Sequence, residues 1–250
     1  MAVKRMRVFA GPNGSGKTTI FKELLSKSKV PLGIYVNADD IEEELNEEGF
    51  INFSSYQLTV SEAEAQAFFK ESQFSPRKRN EPELYKRINI QDNKFYFSGV
   101  IDSYLAADLA EFMRQQLLEQ GISFTYETVM SHPGKVDFLS KAREGGYRVY
   151  LYYIATEAPE INVNRVDIRV AQDGHFVPPN IVTDRYYRSL NNLKEAVKLT
   201  DRSYIFDNSQ EHANLVAEVT DGSKVEFNDL FKEGDSLIVP NWVVENLLKD

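Results

Sequence analysis

The run Gly11-Pro12-Asn13-Gly14-Ser15-Gly16-Lys17-Thr18 fits G-x-x-x-x-G-K-[ST] without a mismatch, and it dictates what must surround it. A strand has to precede such a loop and a helix has to follow it. From Lys4 to Ala10, Met6, Val8 and Ala10 alternate against charged or aromatic neighbours, which predicts a strand ending at the first glycine. Helix formers follow from Thr19 through Phe21, Leu24 and Leu25. The glycines let backbone N–H groups converge on an anion, and the helix start adds its positive dipole end. Residues Gly11 to Thr19 are therefore the candidate cradle for a nucleotide polyphosphate. Lys17 would reach the β and γ phosphates, and the Thr18 hydroxyl would ligate Mg2+. A glycine-rich turn with an incidental lysine is the alternative.

Composition bounds the rest. With 250 residues, 42% apolar and 27% charged, the chain can bury a core, and one α/β domain over 1–250 is expected. It would carry an insertion at about 48–103 and an extension at about 210–250. Cysteine is absent, which excludes disulfides, thiolate metal sites and cysteine nucleophiles. No apolar run reaches membrane-spanning length and Met1–Arg5 leads into no signal core, so a cytoplasmic protein without a membrane partner is expected. A net charge of −9 and a pI near 5.0 argue against broad nucleic-acid binding. They still allow a locally positive cleft.

Along the chain, Ile34-Tyr35-Val36 reads as a buried strand, and Asn37-Ala38-Asp39-Asp40 leads into a helix over Ile41–Asn46. Asp39 thus stands at the carboxyl end of a strand, where open parallel sheets bind ligands. A helix cap by Asp39 or Asp40 is the other reading. Ser61–Gln73 predicts a helix, and Arg87–Ile90 with Lys94–Phe97 a hairpin. Arg77-Lys78-Arg79 is a basic cluster, solvated loop charge or a substrate contact. A helix over Ser103–Gln120 stops at Gly121. In Ile122–Thr128 the alternation puts Glu127 on the opposite parity, at the same sheet end as Asp39. A surface glutamate is the bland alternative there.

Gly134–Gly145 predicts a crossover helix, and Tyr147–Ala155 a strand covered on both faces. This alternation implies a parallel sheet with helices on both sides. Pro159 opens a helix striped by Val163, Val166 and Val170, beside which Arg165 and Arg169 would project together toward an anion such as phosphate. Salt bridges to Asp167 or Asp173 are the alternative. Asn180–Lys198 reads as one helix, flanked by Arg185 and Arg188. His175 is either a hydrogen-bonding turn residue or a substrate contact. Ser203–Phe206 reads as the last core strand, and the tail as a hairpin turning at Asp221-Gly222, then a short helix from Pro240.

Guanine-reading N-K-x-D and the L-S-G-G-Q signature are absent, and Tyr204–Asp207 only partly matches a hydrolytic ATPase strand. A kinase needs a donor site, a base beside the acceptor hydroxyl, and cations around the phosphoryl group. Candidates for all three are present. Gly11–Thr19, Asn37-Ala38-Asp39, Glu127-Thr128, Arg165-Val166 with Arg169-Val170, Gly174–Pro178, Arg185-Tyr186 with Arg188–Leu190, and Asp207-Asn208-Ser209 together resemble the zeta toxin family of P-loop kinases, most of all its short bacterial members.

The resemblance spans about residues 4–209 and implies a P-loop kinase-like fold. It further implies ATP- and Mg2+-dependent phosphorylation of the 3′ hydroxyl of the amino sugar in UDP-N-acetylglucosamine, and an antitoxin partner over the ATP site. By the same resemblance Lys17, Asp39, Arg165 and Arg169 would be catalytic, with Asp39 as base and the arginines clamping phosphates. Glu127, Thr128 and His175 would join Asp39 on the acceptor. Asp173 departs from the family's glycine. A nucleotide-dependent switch or an ATPase without a small-molecule acceptor is the rival reading.

Overall fold

The structure is a computed structural model describing residues 3–27, 31–71, 81–172, 174, 176–233 and 236–249. The cluster Arg77-Lys78-Arg79, Asp173 and His175 lie outside the described residues. Two compact units divide the chain, one of Met1–Pro31 with Glu127–Asp250 and one of Leu32–Tyr126.

The first unit opens with β1 (Arg5–Ala10) and α1 (Lys17–Lys27), joined by the glycine loop. Every residue of β1 from Met6 to Ala10 is buried, Arg7 included. That burial on both faces marks a central parallel strand.

In the second unit, β2 (Ile34–Val36) leads into α2 (Ala38–Glu48). The cap of α2 is neither aspartate: the Asn37 side chain accepts from the Asp39 N–H at 3.1 Å. An asparagine in extended conformation (φ −131, ψ 133) presents its oxygen to the second helical amide, and Asp39 and Asp40 fall inside the first turn instead. The segment 48–103 carries β3 (Ile51–Asn52), α3 (Glu62–Glu71), β4 (Ile88–Gln91) and β5 (Lys94–Phe97). Its strands form an antiparallel sheet ordered β3-β5-β4. The β4–β5 turn has Asp92 and Asn93 at φ 51 and 59, the paired left-handed conformation of a two-residue hairpin. Phe53 packs edge-on against Phe95 and against Phe112 of α4 (Ser103–Glu119), at 6.3 and 6.1 Å. Next comes β6 (Phe124–Thr128), parallel to β2 with Ile34 opposite Phe124. Its last two residues, Glu127 and Thr128, belong to the first unit.

The first unit resumes with α5 (Pro133–Glu144), β7 (Arg148–Ala155), α6 (Pro159–Val170), α7 (Pro179–Asn191), α8 (Leu193–Lys198) and β8 (Arg202–Asp207). The hairpin β9 (Asn214–Thr220) and β10 (Lys224–Phe227) follows. A small ladder of β11 (Lys232–Glu233) and β12 (Ser236–Leu237), then α9 (Asn241–Val243) running into a π turn over Val244–Leu248, completes it. Strand order here is β10-β9-β8-β7-β1, with β1, β7 and β8 parallel and β9 and β10 antiparallel. This is the expected α/β fold, mostly parallel at its centre and flanked by helices.

Three expectations are corrected. The helix expected over 180–198 breaks at Asn192, whose side-chain amide donates to the Met130 carbonyl at 2.8 Å. Restarting at Leu193 also buries Leu193, Ala196 and Val197. β8 is not the last core strand, because β9 pairs with it and buries Val216, Ala217 and Val219. β7 is covered fully on one face only. On the other, Tyr150 and Tyr152 are half-buried, and Tyr152 stacks between Phe9 at 4.5 Å and Tyr204 at 4.9 Å.

Candidate functional site

The glycine loop bridges the carboxyl end of β1 and the first turn of α1, which begins at Lys17. Its backbone N–H groups and the α1 dipole therefore face the same side. The Lys17 ammonium lies over its own loop, donating to the carbonyls of Gly11 and Pro12 at 2.9 Å each. Ser15 Oγ and Asn13 Oδ1 are buried without a hydrogen-bond partner. Buried polar atoms are normally satisfied, so this pair marks a cradle suited to a polar guest. An open depression of about 390 Å³ lined by Thr18, Thr19, Lys22, Glu23 and Ser26 runs along α1 beside the loop.

The Thr18 hydroxyl donates to Glu127 Oε2 at 2.9 Å. Glu127 reaches it from the carboxyl end of β6, and the next residue holds the loop directly, the Thr128 carbonyl accepting from the Gly11 N–H at 3.2 Å. Sequence reading placed Glu127 at this sheet end without foreseeing contact with Thr18. Having donated its proton, the hydroxyl keeps its lone pairs for a cation. Threonine and carboxylate oxygens are hard donors of the kind magnesium takes. The residues present thus fit that ion.

Two asparagines brace the loop: Asn162, which the sequence did not single out, and Asn208, which it offered only as part of the motif Asp207-Asn208-Ser209. Asn162, fully buried on α6, donates to the Asn13 carbonyl at 2.6 Å and accepts from the Thr156 hydroxyl. The Thr156 carbonyl in turn accepts from the Tyr186 hydroxyl at 2.7 Å. Asn208, just past β8, donates to the Ser15 carbonyl at 2.8 Å. A Cβ on Gly14 (φ 73) would lie 2.5 Å from the Asn162 carbonyl oxygen, and one on Gly16 (φ 94) 2.3 Å from the Asn208 amide nitrogen. Both glycines are thus required twice, by left-handed backbone and by lack of room.

Arg165, one turn along α6 from Asn162, donates to the carbonyls of Asn208 at 2.8 Å and Gln210 at 3.3 Å. It ties α6 to the same turn that Asn208 uses. Arg169, one turn further along α6, is exposed, its side chain beside Gly174. Arg188 pairs with Asp184 at 2.5 Å on the surface. Asp39 stands in the second unit, exposed in the first turn of α2. The first unit accordingly brings together Gly11–Thr19, Glu127, Thr128 and Arg165. No metal-binding cluster of three or more acidic or histidine residues occurs among the described residues. Nor is any described helix long and apolar enough to cross a membrane.

Residues 98–218 match the zeta toxin family. An uncharacterized protein of Haemophilus influenzae (strain ATCC 51907 / DSM 11121 / KW20 / Rd) is 36% identical over 69 residues, 28% of this chain and 49% of that protein. Among solved structures, a crystal structure of the AvrRxo1-ORF1:AvrRxo1-ORF2 complex with sulphate ions aligns over 91% of this chain and 62% of that one, at a TM-score of 0.55 and 15% identity. The AvrRxo1-ORF1:-ORF2 complex with ATP aligns over 92% and 62%, with a TM-score of 0.53 and 14% identity. The chain thus spans about half of its curated relative and under two thirds of these structural neighbours, with which it shares a fold.

Proposed function

We propose, from the chain's similarity to the zeta toxin family of P-loop kinases, that it is an ATP-dependent kinase acting on a hydroxyl of a nucleotide sugar such as UDP-N-acetylglucosamine. The observation that carries the reading is the Thr18–Glu127 hydrogen bond at the mouth of the glycine loop. It supports a phosphoryl-transfer site because a P-loop hydroxyl paired with an acid from a neighbouring strand end is how such sites hold their ion.

In this reading Lys17 leaves the carbonyls of Gly11 and Pro12 for the γ-phosphate, and the loop amides with Thr19 hold the β-phosphate. Thr18 and Glu127 hold magnesium, which when bound offsets the phosphate charge. Asp39 takes the proton of the acceptor hydroxyl as that oxygen bonds to the γ-phosphorus, and the bond to the β–γ bridging oxygen breaks to release ADP. Glu127 and Thr128 also meet the acceptor, with His175. Arg165 and Arg169 offset charge on the transferring group. The setting is the cytoplasm, where ATP is supplied. By the same similarity to the zeta toxin family, a toxin restrained by an antitoxin partner is part of the proposal.

Incubation with ATP, magnesium and a panel of nucleotide sugars, read by mass spectrometry, tests it. The expected result is one acceptor gaining one phosphoryl group. Nucleotide binding without product from any sugar would overturn it. Asp39→Asn should reduce transfer by about a hundredfold or more, the usual contribution of a positioned base, while ATP affinity stays near wild type. Equal loss of both would remove Asp39 from the chemistry.

A further inference from the structure

The tail beyond residue 218 lies outside the family match, yet one of its side chains reaches the support of the glycine loop. Trp242, the single tryptophan of the chain, is 4% exposed on α9. Its indole N–H donates to Asp207 Oδ1 at 2.9 Å in a buried setting. Asp207 is the last residue of β8 and opens the turn Asp207-Asn208-Ser209. The same Oδ1 accepts from the Ser209 hydroxyl at 2.7 Å, and Ser209 Oγ accepts from the Glu157 N–H at 2.8 Å. Between them, Asn208 donates its amide to the Ser15 carbonyl and offers its carbonyl to Arg165. One indole N–H therefore holds a turn whose middle residue holds both the glycine loop and the arginine of α6.

We propose that Trp242 is a positioning residue for nucleotide binding, acting through Asp207 and Asn208 on the loop Gly11–Thr18. The inference rests on the reading of that loop as an ATP site. Packing alone does not call for this arrangement, since a phenylalanine would fill the same apolar site. The indole N–H adds a directed bond to a carboxylate oxygen that already fixes the turn. The coupling is reciprocal: if Trp242 sets the loop, nucleotide in the loop must alter the surroundings of Trp242.

The test uses the full chain with Mg·ATP. Trp242→Phe keeps the ring and removes the donor, and the dissociation constant measured by calorimetry should rise about fivefold, the worth of one hydrogen bond. Val243→Ala serves as the control, because Val243 is fully buried on the same short helix and makes no bond to the turn. It should lower the unfolding temperature and leave the dissociation constant at the wild-type value. In the wild type, Mg·ATP should change the emission of the single tryptophan saturably, with the calorimetric midpoint. An unchanged constant in Trp242→Phe, an equal loss in Val243→Ala, or emission flat through saturation would each overturn the proposal. The emission measurement decides it even if Trp242→Phe does not fold. Failure of the wild type to bind ATP by calorimetry would instead remove the nucleotide-site reading and this inference with it.

Discussion

At the scale of single residues, the loop motif was legible and its bracing was not. Gly11 to Thr18 name themselves because phosphate chemistry fixes residue types at fixed spacing. Asn162 carries no such signature and Asn208 stood in a motif without a bracing role, since their partners lie 149 and 193 positions away. The one available hint was the glycines: Gly14 and Gly16 exclude a Cβ because something must press on them. Asn162→Ala should leave the Asn13 carbonyl without its donor and weaken ATP binding by about fivefold to tenfold, the worth of roughly 1 kcal/mol. Calorimetry of the variant checks this, and an unchanged affinity would reduce Asn162 to packing. Arg165 stood out by charge spacing on a helix, but its present partners, two main-chain carbonyls, could not be read from that spacing.

At the scale of elements, local chemistry predicted well wherever it acted alone. The hairpin at Asp92-Asn93, the stop of α4 at Gly121 (φ 72) and proline at the first turn of α6 follow from backbone preference, while α5 starts at Pro133, one residue before the expected Gly134. Asn37 shows where a local rule picked the wrong residue, for the sequence offered Asp39 or Asp40 as the cap of α2 and Asn37 stands two residues ahead of Asp39. The structure selects the asparagine, which leaves the carboxylate of Asp39 exposed rather than turned back on the helix. Asn37→Ala should destabilise the protein by about 1 kcal/mol, seen as a lower denaturant midpoint at unchanged slope. If stability is unchanged, the cap contributes nothing. The break at Asn192 and the addition of β9 beside β8 escaped sequence reading for a common reason. Both are decided by distant segments, Met130 in one case and the exposed edge of a strand in the other.

At the scale of the whole molecule, tyrosines carry a pH dependence that composition does not reveal. Burial raises the hydroxyl pKa of Tyr126, Tyr153 and Tyr186, and that of Tyr147 to about 12 from an ordinary 10.0. Above pH 10 the unfolded chain has released protons that the folded chain still holds, so stability falls as pH rises. Below pH 10 these groups contribute no slope. For Tyr147 the loss runs from pH 10.0 to about 12. Urea titrations across that window should show Tyr147→Phe with a slope shallower by at most roughly 1.4 kcal/mol per pH unit. An identical slope would mean that Tyr147 titrates normally.

The parallel pairing of β1 with β7 sets Arg5 opposite Arg148, and it has a consequence in time. The partner of the first strand leaves the ribosome about 140 residues after it, and at roughly 5–20 residues per second that is a wait of some 7–30 s. Throughout the wait the run Met6–Ala10, apolar but for Arg7, is without that neighbour. The second unit, Leu32–Tyr126, is continuous in sequence and fully synthesised within that interval. Asn208 and Trp242 emerge later still. The glycine loop is therefore made well before the residues that brace it, and a nascent chain exposes the motif before the loop has its supports.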